Sequence, residues 1–167
     1  MAILDILEFP DPRLRAEAAS VDTFGADLAR FADDMLETMY AAGGIGLAAT
    51  QVGDARRVFV MDISEGLNQP QVLINPRILE KRGEQVYQEG CLSFPGIFAD
   101  VKRAGWIHVE SADTEGNLVT REVEGLEAVC IQHELDHLDG KVFVDYLSPL
   151  KRSMLLRRLE KQRRKAG

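Results

Sequence analysis

Gln132-His133-Glu134-Leu135-Asp136-His137-Leu138-Asp139-Gly140 is the stretch on which the rest of this chain depends. Read as a helix, it sets His133 and His137 about 6 Å apart along the axis and roughly 40° apart around it, so both imidazoles leave one face. A divalent metal needs that geometry from two ligands on one element. Glu134 lies roughly 100° around from His133. That is too far for a comfortable third ligand and near enough to reach a water at the metal. His-Glu-x-x-His therefore reads as two ligands plus a general base for metal-assisted hydrolysis. The plainer reading is a solvated, charged helix face. Against it, the chain has only three histidines and spends two of them here. Leu126, Val129 and Cys130 also continue the His133/His137 face as an apolar wall, as a pocket beside a metal would require.

Working outward, this helix runs from about Gly125 to Leu138, and Gly140 ends it. Upstream, Arg57-Val58-Phe59-Val60-Met61-Asp62-Ile63 is rich in strand formers. Gln71 to Glu80 reads as extended, with Pro76 demanding an edge position or a bulge. Further short strands are predicted near 84–89, 105–112 and 118–124, with turns at Gly105 and Thr114-Glu115-Gly116-Asn117. His108 falls inside one of these runs and reads as an ordinary strand histidine. Phe9-Pro10-Asp11-Pro12-Arg13 is turn-rich. From Ala26 to Ala42 the apolar set Leu28, Phe31, Ala32, Met35, Leu36, Met39 follows helical spacing, and Gly43-Gly44 stops it. Ser148-Pro149 starts a C-terminal helix over 149–165, with Pro at its first position and Met154, Leu155 and Leu159 packing inward. The fold class is α+β: short mixed or antiparallel strands around a central metal-binding helix, with one N-terminal and one C-terminal helix. No repeat, linker or low-complexity segment divides residues 1–167, so a single domain is expected.

Composition narrows the function classes. With 46% hydrophobic and 28% charged residues, the chain is ordinary for a globular protein. No apolar run approaches the ~20 residues that span a bilayer, and the first residues lack the basic start of a signal peptide. The expected setting is the cytoplasm, without a membrane. There a disulfide between Cys91 and Cys130 is not expected. The net charge of −7 argues against DNA binding by the body of the protein. Residues 151–167, however, hold eight Lys/Arg and one Glu, whereas the first 150 residues hold twelve Lys/Arg against twenty-six Asp/Glu. A basic tail on an acidic body suggests an anionic partner for the tail.

Two histidines do not complete a metal site. Asp139, Asp145 and Glu160 are the downstream acidic candidates, and Asp139 is placed so as to point away from the imidazole face. A thiolate is the other possibility. Cys91 suits it, in the loop-bounded run Glu89-Gly90-Cys91-Leu92-Ser93-Phe94-Pro95-Gly96, where a metal would hold the sulfur deprotonated. Cys130 reads as packing or pocket lining. One Cys and two His leave a tetrahedral ion a vacant position for water, the mark of a catalytic site. Thiolate and imidazole suit iron, cobalt, nickel and zinc alike.

Gly43-Gly44-Ile45-Gly46-Leu47-Ala48-Ala49-Thr50-Gln51 mimics a dinucleotide-binding turn. That fingerprint needs a strand before it and a helix after it, and here a helix comes first. A small-residue strand that lets a peptide backbone pass close by fits better, with the Gln51 amide aimed at the metal.

Gly44-x-Gly46-x-Ala48-Ala49-x-Gln51, Glu89-Gly90-Cys91-x-Ser93 and Gln132-His133-Glu134-x-Asp136-His137, in that order, resemble the three signature motifs of the peptide deformylases. The resemblance extends to Phe-Pro-Asp-Pro-Arg-Leu-Arg near the N-terminus and to Ile74-Asn75-Pro76, and so covers nearly the whole chain. It points to the bacterial type with a helical C-terminus. It implies a hydrolase that removes the formyl group from the N-terminal formyl-methionine of new polypeptides, releasing formate. It further implies Cys91, His133 and His137 as ligands of one divalent ion, normally Fe2+, with Ni2+, Co2+ or Zn2+ able to substitute. Glu134 would move the proton from water to the leaving amine. The Gln51 side chain and the Leu92 backbone N–H would stabilise the oxyanion. For the substrate, Ile45 and Gly46 would pair with the peptide in strand fashion, and Gly90 would face it. Leu126, Val129 and Cys130 would line the methionine pocket. Phe94, Gly96 and Phe98 read as a loop, and no family role is carried to them. A monomer is expected, with the basic helix docking on the ribosome. Two rival readings remain at this stage: a zinc endopeptidase with Asp145 or Glu160 as third ligand, and a ribosome-docking module with a closed structural metal.

Overall fold

The computed structural model describes residues 2–166. Helix α1 (Ala26–Ala41) buries Leu28, Ala32, Met35 and Met39, the stripe expected of it. Gly43, at φ +73°, turns the chain out of the helix. Strand β1 (Gly46–Ala48) leads through a 3-10 turn (Ala49–Val52) to β2 (Val58–Met61). There follow β3 (Gln71–Arg82), β4 (Gln85–Cys91), β5 (Phe94–Arg103), β6 (Trp106–Ala112) and β7 (Leu118–Glu124). Helix α2 (Gly125–Leu138), a 3-10 turn (Phe143–Tyr146) and helix α3 (Pro149–Ala166) complete the chain. Five strands form one antiparallel sheet in the order β1-β2-β3-β6-β7, and β4 pairs with β5 alone. The fold is α+β, as expected.

Strand β2 explains the layering. All four of its residues are buried, and successive side chains must serve opposite faces. Val58 and Val60 pack with Leu28, Met35 and Met39 of α1. Phe59 and Met61 pack with Ala128, Cys130, Ile131 and Leu138 of α2. The sheet thus carries one helix on each face. A third apolar cluster joins Phe94, Ile97, Ala99 and Val101 of β5 to Phe143 and to Leu155 and Leu159 of α3. Helix α2 is therefore an interior element: nine of its residues are buried, His133, Glu134 and His137 among them. The solvated-face reading of this helix fails on that burial.

One detail of the sequence reading is resolved, and two change. Pro76 lies in β3, which has β2 on one side and β6 on the other. The chain accommodates it by a bulge, with the register shifting between Ile74 and Arg77 and Asn75 at φ +52°. The Asn75 amide holds that kink by bonding the Val21 backbone N–H and C=O, at 2.8 and 2.9 Å. Phe94 to Phe98 is the start of strand β5, not a loop. Its inward set is Phe94, Ile97, Ala99, Val101 and Arg103. The alternation is masked because an arginine points in and Phe98 points out. Finally, Met154 is exposed on α3 whereas Leu155 and Leu159 turn inward, since an i, i+4 pair shares a face that the preceding residue does not.

Candidate active site

Strand β4 and helix α2 bring the two halves of the site together. Cys91 ends β4, and its Sγ lies 3.3 Å from His137 Nε2. The His133 and His137 rings sit 5.1 Å apart on α2. One ligand atom from each of Cys91, His133 and His137 falls within 4.8 Å of the others, and among the described residues no other His, Cys, Asp or Glu joins a group of this kind. A thiol and two imidazoles fit a tetrahedral divalent ion with one position left for a non-protein ligand. His133 Nδ1 lies 2.8 Å from Glu89 Oε1. A carboxylate there holds Nδ1–H, so Nε2 is the nitrogen whose proton an ion would displace. Burial, and then the charge of His133, hold His137 well below the usual imidazole range, so it is neutral and ready to ligate. Burial acts the same way on His133, but bonds from Cys91 and Glu89 outweigh it and raise its basicity.

Glu134 is buried beside them. Burial first, and then the charge of Glu89, push its carboxyl up to about 7 against the opposing His133 and Arg103. Oε1 has no hydrogen-bond partner. A buried carboxyl with a free oxygen and a pKa near neutrality is suited to exchanging a proton with something in the cleft. The β1 backbone closes over it: a Cβ on Gly46 would collide with Glu134 Oε2 and lie 3.1 Å from Cys130 Sγ. Glycine is required there by close approach.

The Gln51 side chain is fully oriented. Oε1 accepts from Ala48 N at 2.9 Å, which fixes which end of the amide is nitrogen. Nε2 then donates to Ser93 Oγ at 3.0 Å and approaches Cys91 Sγ at 3.5 Å. One N–H of the pair is held by Ser93, and the other faces the metal group. A cleft of about 400 Å³ opens over these residues, lined by Ile45, Gly46, Gln51, Gly90, Leu92 and Glu134 among others. A side pocket of about 90 Å³ leaves it between Ile45, Gly90, Leu126, Val129 and Cys130.

A family model described as polypeptide deformylase matches residues 3–153. The chain belongs to the peptide deformylase family. It is 59% identical to the peptide deformylase of Xylella fastidiosa strain M12 over the full length of both chains. It is 62% identical to that of Alkalilimnicola ehrlichii over 96% of this chain and 91% of that one. Among solved structures, a peptide deformylase from Legionella pneumophila superposes with a TM-score of 0.93 at 47% identity, covering 98% of this chain and 96% of the other. A peptide deformylase from Ehrlichia chaffeensis in complex with actinonin gives 0.92 at 38% identity, covering 97% and 98%. The chain is thus a metal-dependent hydrolase that removes the formyl group from newly made polypeptides.

Within this deformylase, every residue singled out from sequence reaches the cleft, its side pocket or the metal group: Cys91, His133, His137, Glu134, Gln51, Leu92, Ile45, Gly46, Gly90, Leu126, Val129 and Cys130. The rival acids are engaged elsewhere. Asp139 pairs with Arg57, Asp145 with Arg15, and Glu160 with Arg164. The endopeptidase reading has no third ligand left, and the closed-metal reading finds no fourth among the described residues. Sequence reasoning missed the buried support of the deformylase site. Glu89 takes two hydrogen bonds from Arg103, at 2.6 and 2.9 Å, while holding His133. The signal was present: Glu89 stands two residues before Cys91 in the motif Glu89-Gly90-Cys91-x-Ser93. Ser93 is a fixed position of the same motif, but its role of holding Gln51 depends on a residue 42 positions away.

Proposed function

We propose that Cys91, His133 and His137 hold one divalent ion, natively Fe2+, with Zn2+, Ni2+ or Co2+ able to replace it, and that Glu134, Gln51 and Leu92 perform the hydrolysis beside it. The observation that carries this reading is the meeting of the Cys91 thiol, the His133 imidazole and the buried Glu134 carboxyl at one cleft, with the His137 imidazole 3.3 Å behind the thiol. A formamide is a poor electrophile, and a bound ion supplies what it lacks by polarising the carbonyl and bringing the pKa of water from 15.7 to about 7. Glu134 takes a proton from the attacking water and gives it to the amine nitrogen as the C–N bond breaks, so formate leaves. The Gln51 N–H that Ser93 does not hold, together with the Leu92 backbone N–H, donates to the oxygen as it gains charge. Each such donor is worth about 3 kcal/mol in a preorganised site.

The substrate is a nascent peptide bearing N-formyl-methionine. Gly46, at the start of the edge strand β1, and Ile45 just before it pair with its backbone in strand fashion, and Gly90 closes the opposite wall. Leu126, Val129 and Cys130 receive the methionine side chain in the side pocket. The reading places the enzyme in the cytoplasm as a single-domain monomer spanning 1–167, with no DNA partner. No helix among the described residues is long and apolar enough to cross a membrane. Docking of α3 on the ribosome is supported by its charge and by its packing. Leu155 and Leu159 bury, while Arg157, Arg158, Lys161, Arg163 and Arg164 face solvent.

The test is an anaerobic assay of the iron-loaded protein on a formyl-methionyl tripeptide, read as formate. Formate above a metal-free control is expected. No formate above that control overturns the reading.

A further inference from the structure

The Glu89–Arg103 pair does not end the hydrogen-bonded chain that begins at His133. Arg103 Nη1 continues to Asp136 Oδ2 at 2.9 Å, and the Tyr146 hydroxyl donates to the same oxygen at 2.6 Å. Arg103 and Glu89 side chains are both 4% exposed, whereas Tyr146 is 49% exposed. The series therefore runs from a buried imidazole to the surface. Its outer end forms part of the wall of a cleft of about 660 Å³ that also includes Arg57, Lys81 and Lys141. Neither Asp136 nor Tyr146 offers an atom to the metal group, and neither lines the catalytic cleft or the side pocket.

We propose that Tyr146 is a positioning residue for His133, acting through Asp136, Arg103 and Glu89. The guanidinium is planar, and its bonds to Glu89 and Asp136 use both edges of one rigid group. Fixing Asp136 at one edge fixes where the other edge holds Glu89. Glu89 Oε1 accepts from both Arg103 and His133, so its place sets the rotation of the imidazole about its own axis. Tyr146 secures the far end twice. Its hydroxyl bonds Asp136, and its ring lies under the Arg103 guanidinium at 5.0 Å. Burial and the Asp136 carboxylate push the phenol up to about 12, so the hydroxyl stays a donor. The same 3-10 turn sends Phe143 against the His133 ring at 5.9 Å. Residues 143–146 thus hold this imidazole on its face by packing and on its edge by relay.

The inference rests on His133 being a metal ligand, and the experiment separates the two. Cobalt(II) affinity is measured by competition with a chelator, and the visible d–d spectrum of the cobalt protein is recorded, for the parent and for Tyr146→Phe, Asp136→Asn, the double variant and His133→Ala. Tyr146→Phe keeps the ring and removes only the hydroxyl. Removing a group bonded directly to a ligand weakens metal binding about 10- to 100-fold, so a group further out is expected to weaken it about threefold to tenfold and to shift the spectrum. The double variant is expected to match Asp136→Asn alone, because the two act in series. Unchanged cobalt affinity and spectrum in Tyr146→Phe overturn the proposal even if the melting temperature falls, since that result describes packing alone. Additive losses in the double variant also overturn it. Retention of cobalt binding by His133→Ala would instead overturn the ligand assignment beneath it.

Discussion

Gly46→Ala is the most instructive perturbation of this site, because the smallest side chain tests the largest claim. Gly46 does not have a positive φ, so alanine introduces no backbone strain. The added Cβ would collide with Glu134 Oε2 and stand 3.0 Å from Glu134 Cδ and 3.1 Å from Cys130 Sγ. Strand β1 is fixed by its ladder to β2, and α2 is packed in the interior, so the Glu134 side chain is what must give. Relief requires the carboxylate to move by about 1 Å, a misplacement that can cost ~100-fold in rate. The stability cost is small. An off-rotamer side chain costs about 0.5–1.5 kcal/mol, and Gly→Ala regains about 0.4–1 kcal/mol by restricting the unfolded chain. Turnover at saturating formyl-methionyl tripeptide should therefore fall about 100-fold, with metal content and melting temperature near those of the parent. Saturating substrate matters, because loss of a backbone contact at β1 alone would raise KM and spare kcat. A kcat within about threefold of the parent would refute Glu134 as the proton carrier held by this strand.

Gln51→Ala should lower kcat about 100-fold or more with the metal retained, as for a deleted oxyanion donor; a loss under fivefold would remove that role. Cys91→Ser should strip or greatly weaken the metal, measured by elemental analysis after dialysis, and unchanged metal content would count against a thiolate ligand. Burial works against the Asp145 carboxylate, but Arg15 and the Val142 N–H hold its pKa below the usual carboxylate range. A carboxyl with a depressed folded pKa stabilises above its unfolded pKa of about 3.9 and ceases to do so as pH falls through the folded value. Asp145→Asn should therefore melt below the parent at pH 7, by less than about 1 kcal/mol for so exposed a pair, and the gap should close under acid. A gap independent of pH would contradict that cause. Replacing Arg157, Arg158, Lys161 and Arg164 by Gln leaves Leu155 and Leu159 buried, so the fold should persist while ribosome co-sedimentation at low salt declines; unchanged co-sedimentation would remove the docking role of α3.

How much of this was readable in advance depended on whether a residue's role was local. The His133/His137 pairing follows from helical geometry alone, and the helix stops at Gly43 and Gly140 follow from backbone freedom. Cys91 could be nominated because metal chemistry leaves few suitable donors. Strand β5 was missed because a strand is recognised by what it buries, and this one buries Arg103 against Glu89 while exposing Phe98. The fate of Pro76 was equally non-local: whether it sits at an edge or a bulge depends on β6 arriving beside β3. Met154 was placed inward on hydrophobicity, and only the position of the third cluster decides which stripe of α3 is covered. The support chain through Glu89, Arg103, Asp136 and Tyr146 draws on four separate elements, so no window of sequence contains it.

X-ray absorption at the metal edge of the zinc- or cobalt-loaded protein tests the coordination most directly. One sulfur at about 2.3 Å and two nitrogens at about 2.0–2.1 Å, with one further light atom, are expected for Cys91, His133, His137 and solvent. A coordination shell without sulfur, or one with two sulfurs, would contradict the account.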